Sequence, residues 1–317
     1  MKGITIIPVL AILSLSSFAQ KAKSEGAELS KPDIVALMHS ADKSSPLVKS
    51  VKLSNGVSLD YVEQGDATGT PVIFLHGLTD SWRSFEPLLP YLRSTTRAFA
   101  VTLRGHGNSD KPKTYRPEDF AKDVNLFMKK LNIDAAVLVG HSMGGSVAQR
   151  FAIDYPGKTL GLVLVGAFAS FADKPSMVEF REFIHTLEDP IPMEVGVEFQ
   201  KSTIVNAISR EYFDVFVAET MKVPARVWRG AIDGLFTADY VLELKNVEKP
   251  TLLVRGEKDD LSTLGDLQRL AGAISDSEFL IYEDTGHAIH WERPQRFAMD
   301  LETFLQSLRE GSVHRSF

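Results

Sequence analysis

Ser142 is the residue of this chain whose surroundings point most directly to covalent chemistry. It is the centre of the five residues Gly140 to Gly144, which read Gly-His-Ser-Met-Gly. The apolar run Ala136 to Val139 precedes this string and a helical pattern follows it, so the serine is expected on a tight strand-to-helix turn. The flanking glycines allow such a turn, and the amides of the next helix favour developing negative charge. The pattern therefore predicts a serine nucleophile.

His287 is the best candidate for the base, because a serine hydroxyl is a weak nucleophile until its proton is removed. It ends the string Asp284 to His287 and comes just after the apolar run Phe279 to Tyr282. We therefore expect it on a loop at the same edge of the sheet. A purely structural histidine is one alternative, and His290 as the base, at the start of the next helix, is another.

The carboxylate that would orient this histidine is expected in the string Gly-Glu-Lys-Asp-Asp, which follows a predicted strand and offers Asp259 and Asp260. Motif spacing favours Asp259, although either residue could be a solvated turn acid. Asp173 is a more remote third candidate. The resulting chain order, Ser142 then Asp259 then His287, is the one expected when such a triad is built on an α/β sheet.

The oxyanion of a tetrahedral intermediate needs hydrogen-bond donors. One predicted donor is the backbone N–H of Met143, directly after the nucleophile. The other is the backbone N–H of Leu78, in the loop after the run Val72 to Leu75, although this segment could also be only a tight turn. His76 and His141 lie at the ends of neighbouring predicted strands, and we expect them to shape the substrate pocket.

Short apolar runs without alternation predict strands that are buried on both faces of a parallel sheet. Helical patterns separate them, and this alternation predicts an α/β architecture with helices on both faces of the sheet. The runs are Val72 to Leu75, Ala98 to Val101, Ala136 to Val139, Leu162 to Val165, Thr251 to Val254 and Phe279 to Ile281. The helical patterns are Trp82 to Leu92, Pro117 to Leu131, Gly144 to Asp154, Leu264 to Ala273 and Arg293 to Ser307.

Residues 168–237 interrupt this alternation, because they contain helical patterns and no clear buried strand. We predict that they form a helical cap inserted into a sheet domain made of residues 47–167 and 238–310. Most cap aromatics are expected to hold its helices together, and Trp228 is the candidate that faces the substrate. The predicted cap helices are Ser176 to Leu187, Met193 to Ile204, Arg210 to Met221 and Ala225 to Phe236.

The N-terminal residues have the features of an export signal. Lys2 gives a positive start, Ile4 to Leu15 is mostly apolar, and small residues at Ser17 and Ala19 suit cleavage before Gln20. Residues 1–19 are therefore predicted to be a signal peptide of a periplasmic or secreted protein. A fraying N-terminal helix and an uncleaved anchor are the alternatives. The apolar run is too short to span a bilayer, so no stable membrane anchor is expected.

Residues 20–46 are predicted to be an extension with one short helix, Pro32 to His39. The folded domain is expected to begin with a hairpin in which Ser54 to Gly56 joins the strands Val48 to Leu53 and Val57 to Glu63.

The composition excludes several classes of function. The 317 residues carry a formal net charge of −6, which argues against a nucleic-acid binder. The chain has no cysteine, which excludes disulfides, thiolate nucleophiles and cysteine metal sites. A content of 44% hydrophobic and 24% charged residues is typical of a globular protein.

Taken in order, the motifs resemble those of the α/β-hydrolase superfamily, in particular its lidded branch with a serine nucleophile. The match runs from about Val57 to Leu305. Thr102 departs from the pattern, since relatives often have an acidic residue there, and this weakens assignment to a subgroup. The matching strings are His76-Gly77, Arg104 to Ser109, Gly140 to Gly145, Gly256 to Asp259 and Gly286-His287.

The resemblance implies a mostly parallel eight-stranded sheet flanked by helices, an inserted cap, the triad and a two-amide oxyanion hole. It implies a hydrolase of carboxylic esters or lactones of small to medium apolar compounds, without a metal or organic cofactor. Ser142 argues against relatives that use an aspartate nucleophile. Carbon–carbon bond hydrolysis and perhydrolysis on the same triad remain alternatives, as does a ligand-binding protein without catalysis.

Overall fold

One eight-stranded sheet forms the centre of the part of the chain that the structure describes. The structure is a computed structural model, which describes residues 46–314, with side chains through residue 310. The strand order is β1-β2-β4-β3-β5-β6-β7-β8; β1 with β2 and β2 with β4 are antiparallel, and the other neighbours are parallel. In chain order the strands are Val48–Lys52, Ser58–Gln64, Thr70–Leu75, Thr96–Val101, Ala136–His141, Thr159–Val165, Thr251–Gly256 and Ser277–Tyr282.

The central strands are buried as the apolar runs predict. All six residues of β5, Ala136–His141, are buried, and β3 and β6 beside it are buried over most of their length. Because these strands are parallel, their carboxyl ends lie at one edge of the sheet. The mostly parallel, helix-flanked α/β sheet expected from the sequence is confirmed.

The prediction for Phe279 to Ile281 is wrong in one respect. These residues do form a strand, β8, but it is the last strand of the sheet and not a strand buried on both faces. Phe279 is 56% exposed and Ile281 is 38% exposed. A short apolar run does not distinguish a central strand from an edge strand, because both satisfy the same local pattern.

The predicted N-terminal hairpin is present. The strands β1 and β2 are antiparallel, and the Leu53 N–H donates to the Val57 carbonyl at 2.8 Å across the turn. Gly56 has a φ of +87°, which glycine adopts without a steric penalty. The turn has the three residues Ser54 to Gly56, the length associated with a bulged hairpin.

Helices cover the sheet, and one of the predicted helices is wrong. Instead of one helix over Trp82 to Leu92, there are two short 3₁₀ helices, Trp82–Phe85 and Leu89–Tyr91. Pro87 and Pro90 lack the N–H groups that a continuous helix needs. The helices of the sheet layer are α1 Pro117–Lys130, α2 Met143–Asp154, α7 Val241–Leu244, α8 Leu264–Ala273, α9 Ile289–Glu292 and α10 Pro294–His314; a third 3₁₀ helix is Pro156–Lys158.

Residues 168–237, which we call the cap, are described throughout and are helical as predicted. Their only β pairing is an isolated bridge from Ser170 to Asp239. The predicted boundaries between core and cap stay a prediction. The cap helices are α3 Pro175–His185, α4 Met193–Lys201, α5 Arg210–Thr220 and α6 Ala225–Phe236.

The predicted signal peptide at residues 1–19, the predicted helix Pro32 to His39 and all but the end of the segment 20–46 lie outside the described residues. Within the described residues, no helix has both the length and the apolar character needed to cross a membrane.

Candidate active site

Ser142 lies at the sharp turn between β5 and α2, at the carboxyl edge of the sheet. Its backbone has φ 52° and ψ −115°, a left-handed conformation that is strained for a residue with a side chain. The Ser142 N–H donates to the Val165 carbonyl at 2.9 Å, which ties the turn to the end of β6. The serine is therefore held at a defined position by backbone contacts.

Two glycines around Ser142 are required by close packing. A Cβ at Gly144 would lie 2.0 Å from the Leu75 carbonyl oxygen, and one at Gly140 would lie 2.3 Å from the Gly144 carbonyl oxygen. No side chain fits in either place. The first turn of α2 therefore packs directly against the end of β3, where the loop containing Leu78 begins.

The structure brings Asp259 and His287 together. Asp259 Oδ2 lies 2.9 Å from His287 Nδ1, and both side chains are buried. The other carboxylate oxygen accepts the N–H groups of Leu261 and Ser262, each at 2.9 Å. Because an ionised carboxylate can only accept, Nδ1 donates a proton to it, and in the neutral form of the ring Nε2 is then the basic nitrogen.

The alternative acids lie elsewhere. Asp260 is exposed to solvent. Asp173 is also exposed and forms an ion pair with Arg269. Neither has a contact with the His287 ring among the described hydrogen bonds and ion pairs. The geometry therefore favours Asp259, as the motif spacing does.

The His287 ring lies over the end of β6, next to the turn that holds Ser142. Gly166 directly follows Val165, which accepts the Ser142 N–H, and a Cβ at Gly166 would be 2.9 Å from His287 Nδ1. His287 Nε2 is buried and has no hydrogen-bond partner among the described residues, so the Ser142 hydroxyl does not yet bond to it. Such bonds are commonly long without substrate and shorten in the reactive complex.

The two predicted oxyanion donors are both in the buried part of this edge. Met143 is the first residue of α2, where helix N–H groups have no partner inside the helix. Leu78 lies in the loop after β3, and both residues are less than a tenth exposed. Among the described turns and loops, neither N–H donates a hydrogen bond to the protein.

His76 and His141 are buried and both have defined hydrogen bonds. His76 Nδ1 donates to the Gly77 carbonyl at 2.8 Å, and its Nε2 accepts the Leu103 N–H at 3.0 Å. His141 Nε2 donates to the His287 carbonyl at 3.2 Å. Burial lowers the pKa of each ring well below its ordinary value. These neutral rings support the loops that bear the site.

The alternative base His290 is committed to other contacts. Its Nε2 lies 3.0 Å from the Ser84 hydroxyl, and the ring packs 4.5 Å from that of His141, centroid to centroid. Burial and the nearby His287 lower the pKa of His290 to about 3. Among the described contacts no carboxylate bonds to this ring, which makes it a poorer base than His287.

Trp228, the predicted substrate residue of the cap, is fully buried. Its indole N–H donates to the Val223 carbonyl at 3.1 Å, and its ring packs edge to face against Phe199 with centroids 5.1 Å apart. These contacts lie within the cap. The position gives Trp228 a packing role, so its predicted role in binding substrate has no support in the geometry.

Sequence analysis missed a buried carboxyl group close to the site. Asp80 accepts hydrogen bonds from Gln200 Nε2 of the cap at 3.0 Å and from the Ser84 hydroxyl at 3.2 Å. Burial raises the pKa of Asp80 to about 7. Its position four residues after His76, in the loop that follows β3, is the signal in the sequence that points to it. Gln200 carries no comparable signal.

A model of the alpha/beta hydrolase fold family matches residues 70–294, which include all of these loops and the cap. The chain belongs to this family. Among the described residues of this hydrolase, no group of three or more histidine, aspartate or glutamate side chains is arranged to hold a metal ion.

Similar proteins match this chain over most of its length. A non-heme chloroperoxidase from Streptomyces lividans is 28% identical over 284 residues, which are 81% of this chain and 99% of the relative. A solved structure described as a putative aryl esterase from Burkholderia cenocepacia superposes with a TM-score of 0.75 at 25% identity, over 83% of this chain and all of that one. An N-acyl homoserine lactone degrading enzyme superposes with a TM-score of 0.67 at 26% identity, over 81% of this chain and all of that one.

Proposed function

We propose that this protein is a serine hydrolase that cleaves carboxylic esters, including lactones, through an acyl-enzyme on Ser142. The observation that carries the proposal is the buried pair of Asp259 and His287, whose second ring nitrogen has no partner within the described residues and lies beside the turn of Ser142. An oriented neutral imidazole next to a strained, helix-capping serine is the arrangement that activates a hydroxyl nucleophile.

In the first half of the reaction, the Ser142 oxygen bonds to the carbonyl carbon while His287 Nε2 takes the hydroxyl proton. The carbonyl electron pair moves onto its oxygen, which the N–H groups of Leu78 and Met143 stabilise. The carbonyl then re-forms, the bond to the leaving alkoxide breaks, and His287 returns its proton to that oxygen. Asp259 stabilises the charged ring throughout.

In the second half, His287 removes a proton from water and the hydroxide oxygen bonds to the acyl carbon. Collapse of this intermediate breaks the bond to Ser142, which recovers its proton from His287. The products are a carboxylic acid and an alcohol, or a hydroxy acid when the substrate is a lactone. No redox step and no co-reactant other than water is needed.

Apolar side chains near the base support a preference for small to medium apolar substrates. The Phe168 ring lies 5.7 Å from the His287 ring, centroid to centroid, and Leu78 and Met143 belong to the same cluster of buried apolar side chains as Phe168. The relatives described as an aryl esterase and as a lactone-degrading enzyme support esters and lactones as the compounds to test first.

The test is a substrate panel on purified protein with Ser142→Ala as the control. We expect turnover of p-nitrophenyl esters or lactones, with kcat lower by roughly 10⁴-fold or more in the variant. Vinylogous diketones and peracid formation represent the alternative reactions on the same triad. Turnover of those substrates alone, or ester turnover that survives in Ser142→Ala, would contradict the proposal.

We also propose that the protein is exported and acts in the periplasm or outside the cell, as the pattern of residues 1–19 predicts. The test is intact-mass analysis of the protein recovered from each cell fraction. A mature chain beginning at Gln20 in the exported fraction would support the proposal. A full-length chain in the cytosol alone would contradict it.

A further inference from the structure

The Glu292 side chain, at the end of α9, accepts four hydrogen bonds from two separate segments. Its Oε1 accepts the N–H of Gly286 at 2.8 Å and that of Val205 at 3.2 Å. Its Oε2 accepts the N–H of Asn206 at 2.9 Å and the side-chain amide of Asn206 at 2.8 Å. Gly286 directly precedes His287, whereas Val205 and Asn206 lie in the cap between α4 and α5. One carboxylate therefore joins the histidine loop to the cap.

A side chain at position 286 would crowd this junction. A Cβ there would lie 2.8 Å from Glu292 Oε1, 3.0 Å from the Val205 nitrogen and 3.1 Å from the Thr203 carbonyl oxygen. The carboxylate and the cap backbone occupy that space. The absence of a side chain next to His287 thus allows Glu292 and the cap backbone to approach closely.

The peptide groups on the other side of the ring are held as well. The Ala288 N–H donates to the Thr203 carbonyl of the cap at 2.8 Å. The His287 carbonyl accepts His141 Nε2 at 3.2 Å. The backbone on both sides of His287 is therefore bonded to the cap, once through Glu292 and once directly.

We propose that Glu292 is a positioning residue that makes the placement of His287 depend on the docked cap segment Thr203 to Asn206. The proposal rests on the role proposed above for His287. Because the ring follows its backbone, release of the carboxylate frees the Gly286 peptide group and loosens the ring against Ser142. A displacement of about 1 Å is enough to cost on the order of 100-fold in rate.

The test compares Glu292→Gln and Glu292→Ala with Glu283→Gln, a matched control. Glu283 is exposed on the same loop, and its side chain has no described hydrogen bond or ion pair. In Glu292→Gln the new amide NH₂ group faces N–H donors, so part of the four hydrogen bonds is lost. In Glu292→Ala all four are lost. We expect kcat and the rate of fluorophosphonate labelling of Ser142 to fall roughly 10- to 100-fold, with KM little changed.

A second readout does not depend on turnover. The Nδ1–H proton of His287, which is hydrogen bonded to Asp259, gives a downfield resonance by NMR that should shift or broaden in both Glu292 variants and stay unchanged in Glu283→Gln. Wild-type resonance and kinetics in folded Glu292→Ala would overturn the inference. If the wild-type protein has no esterase activity, the proposed function fails, while the resonance still decides the role of Glu292.

Discussion

The carboxyl edge of the sheet and the cap are held in different ways. At the sheet edge, backbone contacts decide positions: the Ser142 N–H bonds to Val165, and the Gly144 backbone packs on Leu75. Much of the cap's contact with the loop after β3 runs instead through single side chains, such as Gln200 on Asp80. This difference suggests that substitutions at the sheet edge affect chemistry, whereas substitutions in the cap away from the segment Thr203 to Asn206 mainly affect stability.

The largest effect on kcat is expected at Asp259, at the sheet edge, and it tests the first half of this comparison. Asp259→Asn replaces the acceptor of the His287 Nδ1–H with an amide, which disfavours the reactive tautomer, so kcat should fall by roughly 10⁴-fold. Asp260→Asn, an identical change at the exposed neighbouring position, is the control and should be close to wild type. Steady-state kinetics on one ester measure both. The reverse order of effects would reassign the acid.

Trp228 tests the other side of the comparison. Trp228→Ala should lower the free energy of unfolding by about 3–5 kcal/mol, because it opens a cavity inside the cap. Trp228→Phe retains most of the packing but loses the bond to the Val223 carbonyl. We expect its kcat/KM for a small ester to stay within about threefold of wild type, a difference below ~1 kcal/mol. A large loss of kcat/KM in Trp228→Phe without a lower Tm would restore its predicted role in binding substrate.

A smaller effect is expected on the pH dependence of stability. Burial lowers the pKa of His290 to about 3, whereas in the unfolded chain an ordinary value near ~6.5 applies. The unfolded state therefore binds the proton first, and this contribution to stability is complete above about pH 6.5 and is lost as the pH falls towards 3. In His290→Gln, Tm should therefore fall less steeply as the pH decreases. The substitution removes a pH dependence of the free energy of unfolding of up to ~1.4 kcal/mol per pH unit.

Asp80 acts in the opposite direction, because its pKa is raised to about 7 by burial. The folded state binds this proton more tightly, so the contribution of Asp80 to stability is lost as the pH rises from about 4 to 7. The two contributions oppose each other over most of this range, so Tm measured from pH 4 to pH 8 in His290→Gln and in Asp80→Asn separates them. An unchanged acid slope in His290→Gln would contradict the assignment of a neutral, buried ring.

The shared location of the three candidate catalytic residues at the sheet edge could be predicted from the sequence for a physical reason. Ser142, Asp259 and His287 each follow a predicted strand of the parallel sheet by a few residues, and parallel strands end at the same edge, so local patterns determine a shared location. Gln200 and Asp80 are different, because they meet only through the packing of a cap helix on a distant loop. No local pattern records that packing. The prediction of one helix over Trp82 to Leu92 is wrong because Pro87 and Pro90 override the apolar helical pattern there.

The central claim is that the Ser142 oxygen becomes acylated, with His287 as its base. The most direct measurement is mass spectrometry of protein quenched in acid during turnover of an ester, followed by peptide mapping of the acyl group. The account predicts one acyl group per chain on Ser142, formed far more slowly in His287→Ala and absent in Ser142→Ala. An acyl group on another residue would contradict it. Ester turnover by Ser142→Ala at the wild-type rate, without any acylated protein, would also contradict it.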